Sequence, residues 1–118
     1  MSELDARSLD KADQTMEFAH GKTDTVTVVG STWVRSIFQA GWRWSEAVGP
    51  LVGSRTCPTH HVGYAVAGHL HVRTNDGSEQ DIRGGDAYNI PPGHDGWVVG
   101  DEPYVSIEFR GTNDHPVN

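Results

Sequence analysis

The chain has only one cysteine, few basic residues and no long apolar run. Among its 118 residues, nine Lys and Arg stand against sixteen Asp and Glu, which gives a formal net charge of −7. An acidic chain without a basic cluster is not expected to bind nucleic acid or an anionic membrane surface. The single cysteine, Cys57, excludes an internal disulfide framework, and no apolar segment approaches the length of a membrane span. These absences predict a soluble, cytoplasmic protein without nucleic acid or membrane as a partner.

Glycine, proline and alternating apolar residues are what the chain has instead. It holds 14 glycines and 6 prolines, which favour a turn-rich β protein over a helical bundle. The segment 23–29 is rich in β-branched residues, and residues 32–39 alternate between two faces, with Trp33, Arg35 and Ile37 on one and Val34, Ser36 and Phe38 on the other. Asn75-Asp76-Gly77 is the strongest hairpin signal, because its residues tolerate the positive φ of tight turns. About ten short strands at hairpin spacing, without a convincing helix, predict an all-β jelly-roll barrel.

The length predicts one domain with a single core. We expect a polar N-terminal arm over residues 1–14, which is unlike a signal peptide, a barrel domain over 15–110 and a polar tail over 111–118. Inside the barrel, residues 42–46 are expected to be extended, with two tryptophans on one face. A short strand is expected near Leu51-Val52.

The centre of the pattern is the stretch from Gly85 to His94. Gly84-Gly85-Asp86 predicts a tight turn, and Ala87 to Ile90 a buried strand that Pro91-Pro92-Gly93 ends. His94, Asp95 and Trp97 follow directly. Ionisable groups placed directly after a rigid turn are typical of the mouth of a barrel, where binding sites are found.

This stretch resembles the second motif of the cupin superfamily, a glycine, five residues, then proline-x-glycine. Gly85 and Pro91-Pro92-Gly93 match that spacing, whereas the family's usual metal-binding histidine is replaced by Gly96. The first cupin motif would begin at Gly41, with its two histidines at positions 47 and 49 and its glutamate near 61. Those positions hold Ala47, Gly49 and His61 in this chain.

In particular, the chain resembles small single-domain cupins that carry Gly-Trp-Arg-Trp-Ser-Glu, a His-x-Gly-Tyr strand, Ile-Pro-Pro-Gly-His-Asp and Val-Val-Gly-Asp-Glu-Pro. These motifs lie at residues 41–46, 61–64, 90–95 and 98–103. The resemblance spans residues 7–110 and implies a cupin jelly-roll barrel that encloses a cavity and forms a homodimer. Free strand edges favour the same pairing of two copies.

His61 is the first candidate for chemistry. Gly63 and Ala65 share its face of the predicted strand, and their small size leaves room for a ligand beside the imidazole. Such an imidazole binds a divalent metal, acts as a base near neutral pH, or forms a hydrogen bond in the core. His60 should face the other way in a regular strand, so both histidines bind one ion only if a bulge turns one of them.

The other candidate residues have weaker support from the sequence pattern. His94 and Asp95 are interpreted as a carboxylate–imidazole pair, or as a turn capped by Asp95. Glu46 offers an oxygen ligand or a solvated charge. The catalytic candidates are therefore His61, His94 and Asp95, and the metal candidates are His61, His60, His94 and Glu46.

Three aromatic residues, Trp44, Tyr64 and Trp97, are candidates to contact a ligand, with packing in the core as the alternative. Cys57, in a loop beside Pro58, is expected to be inert.

His69 and His71 form a His-x-His on a strand. Leu70 and Val72 are expected to face inward there, which sends both histidines outward and away from a metal.

Two functions fit these residues. The first is a metal-dependent enzyme that acts on a small organic molecule, as an oxygenase, isomerase, cyclase or lyase, with one divalent ion of iron, zinc, manganese or nickel. The second is a metal-free cupin without a cofactor that binds a small molecule as a sensor or accessory protein. A stoichiometric metal in the purified protein separates the two.

Overall fold

A computed structural model describes residues 3–110 of the chain. The predicted tail, 111–118, and the first two residues of the predicted arm lie outside the described residues. The described part contains two short α-helices, one 3-10 helix and nine strands, and none of these helices is long and apolar enough to cross a membrane. The elements are a 3-10 helix (Leu9–Lys11), β1 (Gln14–Phe18), β2 (Gly21–Val28), β3 (Ser31–Phe38), α1 (Trp44–Ala47), α2 (Gly49–Val52), β4 (His61–Ala67), β5 (His69–Thr74), β6 (Glu79–Arg83), β7 (Ala87–Ile90), β8 (His94–Val98) and β9 (Tyr104–Arg110).

The strands form two antiparallel sheets that enclose the core, so the predicted all-β, double-sheet architecture is confirmed. The larger sheet has the order β1-β2-β3-β9-β4-β7, and the smaller has the order β6-β5-β8. β9 pairs with β3 on one side and β4 on the other, which places its inner face at the middle of the larger sheet. This position makes β9 a central wall of the barrel.

The predicted hairpin at Asn75-Asp76-Gly77 is confirmed. It joins β5 to β6, Gly77 has a φ of +90°, and the Thr74 amide donates to the Ser78 carbonyl at 2.9 Å. Positive φ is nearly free of steric cost for glycine, which explains why this segment turns.

Two sequence predictions about the segment between β3 and β4 are wrong. Residues 42–46 are not extended throughout, because α1 begins at Trp44, and Leu51-Val52 lie in α2 rather than in a strand. Pro50 stands in the first turn of α2, and Gly53 ends it with a φ of 72°. These are ordinary start and stop signals of a helix, and they outweigh the short apolar pair Leu51-Val52 that suggested a strand.

The core lies between the two sheets and beneath α1. Trp42 and Trp44 are both buried there, together with Tyr104 at the start of β9. The rings of Phe38 and Trp42 stack with centroids 3.8 Å apart. This aromatic packing forms part of the apolar wall between the two sheets, in the same core cluster as Cys57.

The described part of the N-terminal arm lies against the outer face of the larger sheet. Arg35 on β3 donates to Asp10 of the arm at 2.9 Å and to the buried Asp24 of β2 at 2.9 Å. Hydrogen bonds from Arg35 and Thr15 outweigh the effect of burial and lower the pKa of Asp24. The arm is therefore attached to the barrel through a charged network.

Candidate metal centre

Three side chains with metal-binding atoms meet near the starts of β4 and β8. They are Cys57, His61 and His94, and one ligand atom from each lies within 4.8 Å of the other two. Two of them are fixed by the start of a strand: His61 begins β4 and His94 begins β8. Cys57 is held in place by its backbone, because its amide donates to the His94 carbonyl at 2.7 Å.

The His61 ring has a partner at each nitrogen. Its Nε2 lies 3.4 Å from the Cys57 Sγ, and its Nδ1 lies 2.7 Å from a carboxylate oxygen of Glu108 on β9. The second oxygen of Glu108 accepts a hydrogen bond from the Tyr88 hydroxyl at 2.8 Å. Glu108 therefore fixes the orientation of the ring and favours a proton on Nδ1.

The His94 ring is fixed in the same way. Its Nδ1 donates to the Pro91 carbonyl at 2.7 Å, which leaves Nε2 to face the Cys57 thiol. The two imidazoles meet edge to face, with centroids 5.2 Å apart and planes at 71°. Pro91 thus does more than end β7, because its carbonyl selects the tautomer of His94.

Without a metal, the thiol and the His61 ring form an ion pair. Burial opposes the thiolate, but hydrogen bonds from His61 and His94 outweigh it and lower the pKa of Cys57 to about 6. Burial likewise opposes the imidazolium, but hydrogen bonds to Cys57 and Glu108 raise the pKa of His61 to about 9. Between these values the pair is a thiolate and an imidazolium.

Tyr88 is the neutral member of the cluster. Burial first, and the charge of Glu108 second, raise the pKa of the Tyr88 hydroxyl far above its usual range. The hydroxyl is therefore a permanent hydrogen-bond donor to Glu108.

The cluster opens into an internal cavity of about 450 Å³. Its walls are mainly apolar and include Phe18, Phe38, Trp42, Leu70 and Ile90. A cavity of this size with few polar groups is typical of a small-molecule site.

The structure does not bring two predicted metal ligands to this site. His60 lies near the outer side of β7, where its Nε2 is 2.5 Å from the Asn89 side-chain oxygen. No bulge turns it inward beside His61. Glu46 is exposed on α1 and does not line the cavity, because α1 presents Trp44 and Ala47 to the core instead.

Asp95 is not the partner of His94, although it is adjacent in sequence. It accepts hydrogen bonds from the Ser45 amide at 3.0 Å, the Ser45 hydroxyl at 2.8 Å and Arg43 at 3.3 Å. Neighbouring residues of a strand point to opposite faces, so β8 sends His94 inward and Asp95 outward. Asp95 thereby holds the start of α1, and Glu108 supplies the carboxylate that meets an imidazole.

Of the three aromatic candidates, only Trp44 lines the cavity. Tyr64 is 49% exposed on the outer face of β4. Trp97 lies on the outer face of β8, with the Arg43 guanidinium 4.1 Å from its ring centroid.

The outward placement of His69 and His71 is confirmed. Both rings lie 2.8 Å from one oxygen of Asp81 on β6, while Leu70 and Val72 are buried. These histidines are separate from the cavity.

Sequence reasoning missed Cys57, Glu108 and Tyr88. Cys57 and His61 have a Cys-x-x-x-His spacing, but the loop between them gives no periodic signal. Glu108 was detectable in part, since it shares the inner face of β9 with Tyr104 and Ser106 at period two.

No family model and no curated protein matches this chain. Solved structures match in fold at low sequence identity. A cupin-like protein from Thermotoga maritima has a TM-score of 0.53 at 15% identity, over 79% of this chain and 69% of that chain. The ectoine synthase of P. lautus has a TM-score of 0.66 at 10% identity, over 92% of this chain and 78% of that chain. A variant of the Bacillus subtilis oxalate decarboxylase has a TM-score of 0.59 at 19% identity, over 87% of this chain and 29% of that chain.

The chain has the fold of the cupin superfamily. This confirms the fold that the Gly85 and Pro91-Pro92-Gly93 motif implied, and it leaves activity open because one fold hosts many functions. Two of the similar cupin structures are enzymes by name. In this cupin barrel, the position that resembles the family's glutamate holds His61, and the donors beside it are Cys57 and His94.

Proposed function

We propose that this protein is a metal-dependent cupin enzyme that acts on a small organic molecule, with the metal held by Cys57, His61 and His94. The observation that carries this proposal is the state of the two imidazoles. Each Nδ1 is engaged by an acceptor, Glu108 or the Pro91 carbonyl, so each Nε2 is directed to the Cys57 sulfur, where a metal would replace the hydrogen bonds of the metal-free cluster. An acceptor at the far nitrogen is the usual support of a metal-binding histidine.

The donor set fits a transition metal. One thiolate and two imidazoles suit zinc, iron or nickel better than manganese, which prefers oxygen ligands. Three protein ligands leave an open coordination position, as in catalytic zinc sites. A metal held there would act as a Lewis acid or a redox centre for a bound molecule.

The surrounding residues have separable roles in this proposal. Glu108 keeps the His61 ring in place, and Tyr88 keeps Glu108 in place, through bonds of 2.7 and 2.8 Å. The apolar walls of the cavity exclude water and orient a small molecule by contact. The reaction type, whether oxygenase, isomerase, cyclase or lyase, follows from the identity of the metal and the substrate.

Metal analysis of the purified protein tests the proposal. We expect about one equivalent of a transition metal per chain, and its loss in Cys57→Ala, His61→Ala and His94→Ala. His69→Ala is the matched control, because it removes an imidazole from the outer face and should leave the metal content unchanged. A folded wild-type protein that takes up no zinc, iron, nickel or manganese would contradict the proposal.

A metal-free cupin that binds a small molecule is the second candidate. It is favoured by the Cys57–His61 ion pair, which satisfies both groups without a metal. Saturable ligand binding by metal-free protein, unaffected by added metal, would support this candidate over the first.

We also propose that the chain acts in the cytoplasm as a homodimer. The outer face of the larger sheet supports pairing, since it exposes Trp33, Tyr64, Val66 and Phe109 by 36% to 52%. Sedimentation at micromolar concentration should show a dimer, and Phe109→Glu should shift it to monomer. A wild-type protein that is monomeric throughout this range would contradict the assembly.

A further inference from the structure

The cavity has an unusual charge pattern for so acidic a chain. The described residues that line it include one carboxylate, Glu108, and one basic side chain, Arg110. They lie two residues apart on the same face of β9. Glu108 is also engaged by His61 and Tyr88. Carboxylates and basic side chains therefore balance in the lining, which has no excess of one sign to select a charged ligand.

The cavity reaches solvent past three apolar side chains. Met16 on β1, Val52 on α2 and Pro58 line it and are exposed, the first two by 44% and 55%. Exposed residues that also line a cavity mark its mouth. Such apolar side chains at the mouth let an apolar group enter at little desolvation cost. A charged group would lose its hydration there without gaining a polar partner.

A neighbouring side chain shows that this placement is specific. Leu51, adjacent to Val52 on α2, is 61% exposed but does not line the cavity. Leu51 matches Val52 in exposure and character and differs from it in position, which makes it the control for a test of the mouth.

We infer that the cavity binds an uncharged, largely hydrocarbon small molecule that enters between β1 and α2, with a single polar atom directed to the Cys57 end. This inference names the ligand class for the proposed function, and it rests on that function only for the direction of the polar atom. Straight-chain alcohols are suitable probes, and the matching alkanoates are their charged counterparts.

Hydrophobic transfer sets the expected result. Each methylene buried contributes about 0.8 kcal/mol, so affinity should rise roughly fourfold per added carbon until the chain fills the cavity. Alkanoates of the same length should bind at least about tenfold more weakly, because a carboxylate loses its solvation in an apolar site.

Nuclear magnetic resonance of the indole N–H groups reports binding without a label. Trp42 and Trp44 line the cavity, whereas Trp33 and Trp97 do not. We expect the first two signals to shift and saturate with butanol, hexanol and octanol, and the other two to stay in place. Val52→Glu should weaken binding at least about tenfold, while Leu51→Glu stays within about twofold of the wild type.

Three results would overturn the inference. They are tighter binding of alkanoates than of alcohols, an equal effect of Val52→Glu and Leu51→Glu, and no saturable binding of any alcohol. Zinc uptake by each variant is measured in parallel, since Val52 is not a metal ligand. Normal zinc uptake with failed alcohol binding would refute the ligand class alone, and alcohol binding without zinc uptake would refute the metal centre alone.

Discussion

Replacing Glu108 with glutamine tests how the barrel supports its metal. Glutamine keeps the size of the side chain and an acceptor oxygen, but the bond to the His61 Nδ1 loses its charge. Hydrogen bonds to a charged group are about twice as strong as neutral ones. Loss of such an outer partner typically lowers metal affinity by about 10- to 100-fold.

Proton competition makes this effect depend on pH. Glu108 helps to raise the pKa of His61 to about 9, so a metal that binds at pH 7 must displace the His61 proton at a cost of roughly 2.7 kcal/mol. Wild-type affinity should therefore rise about tenfold per pH unit as pH approaches 9. In Glu108→Gln the His61 pKa falls, so less free energy is needed to displace the His61 proton at pH 7. The loss of zinc affinity relative to the wild type should therefore be smallest at pH 7 and largest above pH 9.

Zinc affinities are measured by competition with a zinc-binding dye from pH 6.5 to 9.5, a range chosen roughly to cover the titration of His61 above that of Cys57. Asp81→Asn is the control, because Asp81 also accepts hydrogen bonds from histidines, but on the outer face. It should leave zinc affinity unchanged at every pH. Equal curves for wild type and Glu108→Gln would refute the role assigned to Glu108.

Three further predictions concern reactivity and stability. In metal-free protein, alkylation of Cys57 should rise through an apparent pKa of about 6, and zinc should block it; a midpoint near 8.5, the usual thiol value, would count against the ion pair. Arg35→Met should lower the free energy of unfolding in urea by roughly 3 kcal/mol, because it leaves Asp24 buried without its main partner. Because the pKa of Asp24 is lowered in the folded state, ionised Asp24 stabilises the fold above about pH 4, its ordinary value, and this stability is lost as pH falls through the folded pKa. Equal acid unfolding midpoints for wild type and Arg35→Met would contradict this role of Asp24. Gly63→Ala should destabilise the fold by about 1–3 kcal/mol, since its Cβ would stand 2.3 Å from the Ile107 carbonyl; an unchanged melting temperature would contradict the close packing.

The sequence predicted the strands well because their signals are local. Alternation and turn residues mark β3, β7 and the hairpin at Asn75-Asp76-Gly77, and the structure has each of them. The same alternation predicted that Leu70 and Val72 face inward. The segment from α1 to α2 failed because short helices of four residues give too little periodicity to compete with β-branched residues.

The site was predicted only where a single strand decides the position of a side chain. His61 was expected to face the cavity, and the structure brings its ring beside His94. Cys57 could not be placed from sequence, because a loop and a backbone bond to His94 bring it there. Glu108 is 47 residues from His61 and meets it only through the pairing of β9 with β4.

The reason that the sequence suggests for a glycine at position 63 is incomplete. From sequence, the small size of Gly63 predicts room for a ligand beside His61. In the structure a Cβ at this position would meet the Ile107 carbonyl at 2.3 Å and the Tyr88 hydroxyl at 2.9 Å. Glycine is needed there because β9 and Tyr88 approach closely, and that approach lets Tyr88 reach Glu108.

Anomalous diffraction from crystals soaked in zinc tests the central claim most directly. We predict one strong peak per chain, about 2.3 Å from the Cys57 sulfur and about 2.0–2.1 Å from Nε2 of His61 and of His94. These three atoms already lie within 4.8 Å of one another, so small shifts would suffice to close around the ion. A peak at His69 and His71 with none at Cys57, or no peak in an ordered barrel, would contradict the account.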